Sequence, residues 1–185
     1  MKHRLTCLCI ITGIFLFSEN SRAVTYSVGT NSGFMTQPTS NYYHAVYGGY
    51  FDVSLDDKRV FARASYVERP KFVAAGYIDQ DYAFTSFIGT KLTNLKKPYG
   101  LLAGIGYGFA GGYIKPDPDY PEIVGEKRTY KIPGMVAAIE FVAQWRHIDL
   151  AFGHQTLIGY AGKDQIEAYV VWPFNFVLFR MGIYF

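Results

Sequence analysis

From residue 135 the chain keeps a strict two-residue rhythm. Met135, Ala137, Ile139, Phe141, Ala143 and Trp145 fall on one face of an extended segment, and Val136, Ala138, Glu140, Val142 and Gln144 on the other. A strand that crosses a bilayer as part of a closed barrel has this character, with hydrocarbon towards lipid and a packed, partly polar face towards the lumen. The same period sets Val60, Ala62, Ala64 and Tyr66 against Arg59, Phe61, Arg63 and Ser65, and Tyr82, Phe84, Ser86 and Ile88 against Asp79, Asp81, Ala83, Thr85, Phe87 and Gly89. In "LLAGIGYGFAGGY" the outer set is Leu101, Ala103, Ile105, Tyr107 and Phe109, while Gly104, Gly106 and Gly108 recur on the inner face. A glycine row facing a lumen leaves room for large side chains from other strands and lets its own strand bend.

Adding "VTYSVGTNSGF", "YYHAVYGGYFDV", "HIDLAFGHQT" and the C-terminal segment brings the number of strands to eight. The connections alternate in length. Short ones are expected near 54–58, 92–98 and at Trp145-Arg146-His147, and longer ones near 35–41, 68–76, 114–132 and 157–166, with the proline-broken, charged "KPDPDYPEIVGEKR" as the largest. Short periplasmic turns and long extracellular loops are the pattern of outer-membrane barrels. The expected fold is therefore all-β, an eight-stranded antiparallel transmembrane β-barrel of the bacterial outer membrane.

Residues 1–23 read as a secretory signal: Lys2 and Arg4 start it, "LTCLCIITGIFLF" forms its apolar core, and Ser21-Arg22-Ala23 supplies a small-residue cleavage site. Residues 24–185 then form the barrel. Both cysteines, Cys7 and Cys9, leave with the signal, so the exported chain has no thiol for a disulfide, a metal or nucleophilic attack. The signal also carries three of the cations and one of the anions behind the formal charge of +3, which leaves +1. That balance gives no case for nucleic-acid binding. Past the signal no run of about 18 apolar residues exists to make a spanning helix, and His44, His147 and His154 show no metal-ligand spacing. No cofactor is implied.

Asp52, Arg59, Arg63, Asp79, Asp81, Glu140, Asp149 and Arg180 all fall on lumen faces. A barrel of eight strands is just wide enough for side chains to fill, so these charges are expected to pair with one another and to close any pore.

The seventh strand breaks its own pattern. Ile148, Leu150 and Phe152 face lipid, and the next two positions on that face are His154 and Thr156. With a periplasmic N-terminus they sit at the outer end of the strand, and Glu167, near the top of the eighth, falls on the same exterior set when counted back from Phe185. A hydroxyl becomes a nucleophile when an imidazole takes its proton and a carboxylate orients that imidazole. A set of this kind facing lipid permits hydrolysis of an ester carried by a lipid.

Two resemblances sharpen this. The ending "FVLFRMGIYF" puts Val177, Phe179, Met181, Ile183 and Phe185 on one face, and it resembles the C-terminal signal that outer-membrane barrels present to their assembly machinery, which implies that machinery as a partner. "HQTL" and "KDQIEAY", with "KPYGLLAGIG" before them, are similar to the outer-membrane lipid A 3-O-deacylases of the PagL type over residues 97–170. That resemblance implies lipopolysaccharide as the membrane partner, His154 as general base, Glu167 as its orienting acid and Thr156 in place of a nucleophilic serine. The family's next residue, an asparagine that helps form the oxyanion hole, is Leu157 here, and Gly159 matches a family glycine whose N–H can contribute. Leu157 offers no donor, a loss that costs on the order of a hundred- to a thousandfold in rate.

Two alternatives fit the same architecture. One is a non-enzymatic barrel with a structural or surface-adhesion role. The other, a lipid A acyltransferase, would begin with an amphipathic helix, whereas Val24 leads almost directly into strand-like alternation.

Overall fold

The computed structural model describes residues 24–36, 43–55, 60–74, 76–93, 98–122, 125–161 and 170–185. Their strands are β1 (Val24–Thr36), β2 (Tyr43–Leu55), β3 (Val60–Glu68), β4 (Phe72–Ala74), β5 (Tyr77–Lys91), β6 (Tyr99–Pro116), β7 (Arg128–Trp145), β8 (Ile148–Ala161) and β9 (Val170–Tyr184). All pair antiparallel, in the circuit β1, β2, β3, β5, β6, β7, β8, β9 and back to β1, so the sheet closes as an eight-stranded barrel. The signal segment, Arg59 and Glu167 lie outside the described residues.

The ninth element, β4, is a continuation of β3. Both lie on β5, which meets Glu68 at Tyr82 and Phe72 at Asp79. The interruption, Arg69-Pro70-Lys71, holds one residue more than the partner does, which makes it a β-bulge. Pro70 has no N–H to give the ladder, while the Arg69 N–H still donates to Asp81 O at 2.9 Å.

Paired residues can be followed round the wall from Ile148 through Ile183, Val28, Phe51, Ala64, Ser86, Tyr107 and Met135. They return to β8 at Ile158, ten positions above the start. A stagger of that size over eight strands tilts them by about 40° to the barrel axis and gives a backbone radius of about 8 Å. Such a cylinder has room for one layer of large side chains and little else.

The alternation read from the sequence is the alternation observed. On β7, Ile139 and Phe141 are 48% and 51% exposed, while Glu140 and Val142 between them are 2% and 1%. The inner glycine row of β6 makes the room expected of it: a Cβ on Gly104 or Gly106 would meet the Phe87 ring or its Cβ. Phe87 in turn meets Phe61 edge to face, with centroids 5.9 Å apart. These two rings pack beside the buried charges rather than leaving a channel.

Outside, two aromatic rows bound an apolar belt. At the end with the short turns, Tyr26 stacks on Phe51 and Phe185 at 6.3 and 6.4 Å, with Tyr99 and Trp145 exposed at the same level. Towards the end with the long loops, Tyr66, Tyr82, Phe109 and Phe84 form a chain with successive centroids 6.5, 6.2 and 5.8 Å apart. Ile88, Ile105, Met135, Ile139, Phe152 and Met181 are exposed between the rows. This is the outer surface that a barrel offers to lipid.

The connections at the loop end are shorter than their composition suggests. β6 runs to Pro116 and β7 starts at Arg128, so the region expected as a loop over 114–132 is a loop only over 117–127. Ile114 pairs with Arg128 on one side and Asp79 on the other, and these ladders carry the strands past their prolines. Likewise β8 continues to Ala161, four residues beyond the expected start of its loop at 157. At the other end Arg146-His147 forms a two-residue turn, with Arg146 at a φ of 53°.

Candidate functional site on the outer wall

Strand alternation places His154 and Thr156 outside, as expected, with His154 exposed and Thr156 half-buried. His154 lies across from Ile139 of β7 and Val177 of β9, and Thr156 lies across from Ala137 and Asn175. Because β8 runs on to Ala161, they occupy its middle rather than its outer tip. His154 stands six residues above Ile148, a height of about 15 Å at this tilt. The imidazole is therefore within the belt, among hydrocarbon side chains.

The hydroxyl and the imidazole are not joined. Thr156 Oγ1 donates to Asn175 Oδ1 at 2.9 Å, and among the described residues no hydrogen bond reaches the His154 ring. Asn175 pairs in turn with Thr36 of β1, so Thr156, Asn175 and Thr36 form a polar row across three strands. Asn175 was missing from the sequence-derived set, although counting back by twos from Phe185 through Ile183, Met181, Phe179 and Val177 reaches it. Leu157 faces inward, fully buried between Val136 and Phe174. The Gly159 backbone is paired between Gly134 and Trp172. Glu167, the expected acid, is outside the described residues.

The lumen holds the strongest electrostatics. Arg63 gives Nε and Nη2 to the two oxygens of Asp52, both at 2.6 Å, and Nη1 to Glu140. Glu140 also pairs with Arg180 and accepts from Gln155 Nε2 at 3.2 Å. All of these side chains are buried, so each charge is offset by neighbours that leave it little water. A second cluster sits nearer the loop end: Arg69, from the bulge, pairs with Asp79 and with Asp81 at 2.9 Å, and the Tyr130 hydroxyl donates to Asp81. Asp149 accepts from Ser27 Oγ at 3.3 Å. The expected pairing of lumen charges holds for Asp52, Arg63, Asp79, Asp81, Glu140 and Arg180. Arg69 was not in that set, because Pro70 hides the strand that aims it inward.

Among the described residues no group of three or more His, Cys, Asp and Glu side chains is placed to hold a metal ion.

No protein-family model matches the chain, and no curated protein matches its sequence. Solved structures do. Ail, the attachment invasion locus protein of Yersinia pestis, in complex with the heparin analogue sucrose octasulfate, is similar with a TM-score of 0.60 at 9% identity, over 89% of this chain and 99% of that one. A major outer membrane protein from Thermus thermophilus gives a TM-score of 0.60 at 12% identity, over 88% and 100%. Neisserial surface protein A gives 0.54 at 9%, over 89% and 99%. At such identities the likeness shows the fold, and that fold is the small eight-stranded barrel of bacterial outer membranes.

Proposed function

We propose that this protein is a non-enzymatic surface barrel, a sealed outer-membrane scaffold that presents its loop-end wall to the cell exterior. One observation carries the reading: the lumen is closed by the Arg63–Asp52–Glu140–Arg180 network and the Phe61–Phe87 pair, while β5, β6 and β7 continue beyond the apolar belt. A barrel whose described lumen is filled by buried side chains acts through its outside. The likeness to an attachment protein and to a surface protein supports this reading at the level of architecture.

A second reading, a deacylase of the lipid A type, is favoured by the outward His154 and Thr156. In it Thr156 Oγ would attack the ester carbonyl of an acyl chain, His154 would take the hydroxyl proton and pass it to the departing sugar oxygen, and water would release the acyl group. The Thr156–Asn175 hydrogen bond and the buried Leu157 weigh against it, since the first occupies the nucleophile's proton and the second supplies no oxyanion donor.

One experiment separates the two. Lipid A is extracted from cells with and without the protein and weighed by mass spectrometry, and the same cells are scored for adherence to a host-cell layer. The surface reading expects unchanged lipid A and an adherence gain that disappears when residues 117–127 are replaced by a short Gly-Ser turn. Loss of one ester-linked acyl chain, abolished by His154→Ala and by Thr156→Ala, would instead establish the hydrolase.

A further inference from the structure

We infer that the outer face of the β6–β7 hairpin, just above the aromatic row, docks the phosphate-bearing headgroup of an outer-leaflet glycolipid. The site is built from lysines laid on rings. Lys131 Nζ lies 4.0 Å from the centroid of Phe109, and Lys127 Nζ lies 4.4 Å from that of Tyr113. Alternation puts Lys115 on the same outward face, two positions beyond Tyr113. A ring face attracts an ammonium and holds its stem along an apolar surface, which leaves the remaining N–H donors directed away from the wall.

Height selects the partner. Phe109 belongs to the upper aromatic row, in contact with Tyr82 and Phe84, and such rows mark where hydrocarbon gives way to headgroups. Lys131 is fourteen positions along β7 from Trp145 in the lower row, which puts it about 35 Å above that row. The apolar band of such a barrel is about 25 Å tall, so the ammonium stands in the headgroup layer. It also points sideways, off the wall that neighbouring lipids touch, where a soluble ligand approaching from above would have to displace them.

Among the described residues neither Lys127 nor Lys131 forms an ion pair. Glu126, the nearest acid in sequence, lines the mouth cavity with Arg128, Tyr77 and Ile114. Two cations with no ion pair among the described residues, at headgroup level on a nearly neutral chain, fit a phosphate, and the flanking rings and belt fit the acyl chains beneath it. This inference needs neither adhesion nor hydrolysis to hold.

The test uses the folded, full-length barrel in nanodiscs of phosphatidylcholine containing either bis-phosphorylated lipid A or its enzymatically dephosphorylated form. Lipid A retained per protein after detergent washing is counted by native mass spectrometry. The wild type should keep the phosphorylated form preferentially. Lys127→Ala with Lys131→Ala should lower that retention by about tenfold or more, since each lysine near an anionic surface contributes a several-fold gain. Lys127→Arg with Lys131→Arg should keep it, and the heat-dependent shift on a denaturing gel should show every variant folded. Equal retention of both lipid A forms, or retention untouched by the alanine pair, overturns the inference. So does capture of a soluble sulfated oligosaccharide through the same lysines with no preference for phosphorylated lipid A.

Discussion

Glu140 is the residue whose loss should be felt most in the lumen. It accepts from Arg63 Nη1 and Gln155 Nε2 and pairs with Arg180, while Arg63 keeps a second carboxylate in Asp52. The core of the network carries two cations and two anions, so Glu140→Ala leaves it with an excess positive charge. Arg180, fully buried, then loses the carboxylate it pairs with among the described residues. Removing one partner of a buried ion pair costs about 3–5 kcal/mol. A value near 4 kcal/mol is roughly a thousandfold in the folding equilibrium. The double substitution Glu140→Leu with Arg180→Met removes one charge of each sign and keeps similar volume, so it should recover all but about 1 kcal/mol of that loss. Urea unfolding in phospholipid vesicles, followed by the fluorescence of Trp145 and Trp172, measures both. A single variant costing under about 1 kcal/mol, or a double variant as unstable as the single, would refute the electrostatic account.

Two further outcomes follow from the packing. Gly106→Ala aims its methyl at the Ser86 carbonyl and Phe87, and the unfolding midpoint should fall by the equivalent of about 1–3 kcal/mol. Gly49→Ala, whose methyl meets only Gly29 O at 3.3 Å, should change stability by less than about 0.5 kcal/mol in the same assay. Thr156→Val removes the donor of the 2.9 Å bond to Asn175 on the lipid face. It should cost about 0.6 kcal/mol, and Asn175→Leu in the same chain should recover the loss by removing the stranded amide. A cost unchanged by the second substitution would mean that this bond contributes nothing.

Most of the wall could be read from residue order, because a closed barrel imposes one rule at every position. Met135 to Trp145 shows it plainly: side chains in contact with lipid cannot also face the charged lumen, so polarity alternates wherever the strand spans. The rule weakens above the hydrocarbon, where polar headgroups replace it on the outer face. Ile114–Pro116 ends on a proline and Arg128–Ile132 is followed by one; both stand beyond the belt and lack its apolar alternation, yet they are strand because their residues have ladder partners on β5, β6 and β7. β4 was hidden for a related reason, since the bulge at Arg69-Pro70-Lys71 shifts the alternation by one residue. At the candidate site, the side of the wall taken by His154 and Thr156 followed from parity. The Thr156–Asn175 bond did not, because it depends on which strand closes against β8 and in what register.

The β1–β9 seam governs more than shape. Every other ladder joins strands that follow one another along the chain or are separated only by β4, so each can form as a hairpin as soon as both halves exist. The seam instead joins Ser27 to Tyr184 and Thr36 to Asn175, and Tyr26 and Phe185 exchange two hydrogen bonds of 2.9 Å at its end. Until β9 arrives, β1 and β8 are both open edges, each able to recruit a strand from another molecule. The last strand is thus a latch as well as a wall. Whatever shields those two edges between synthesis and closure decides whether the chain becomes a barrel or an aggregate.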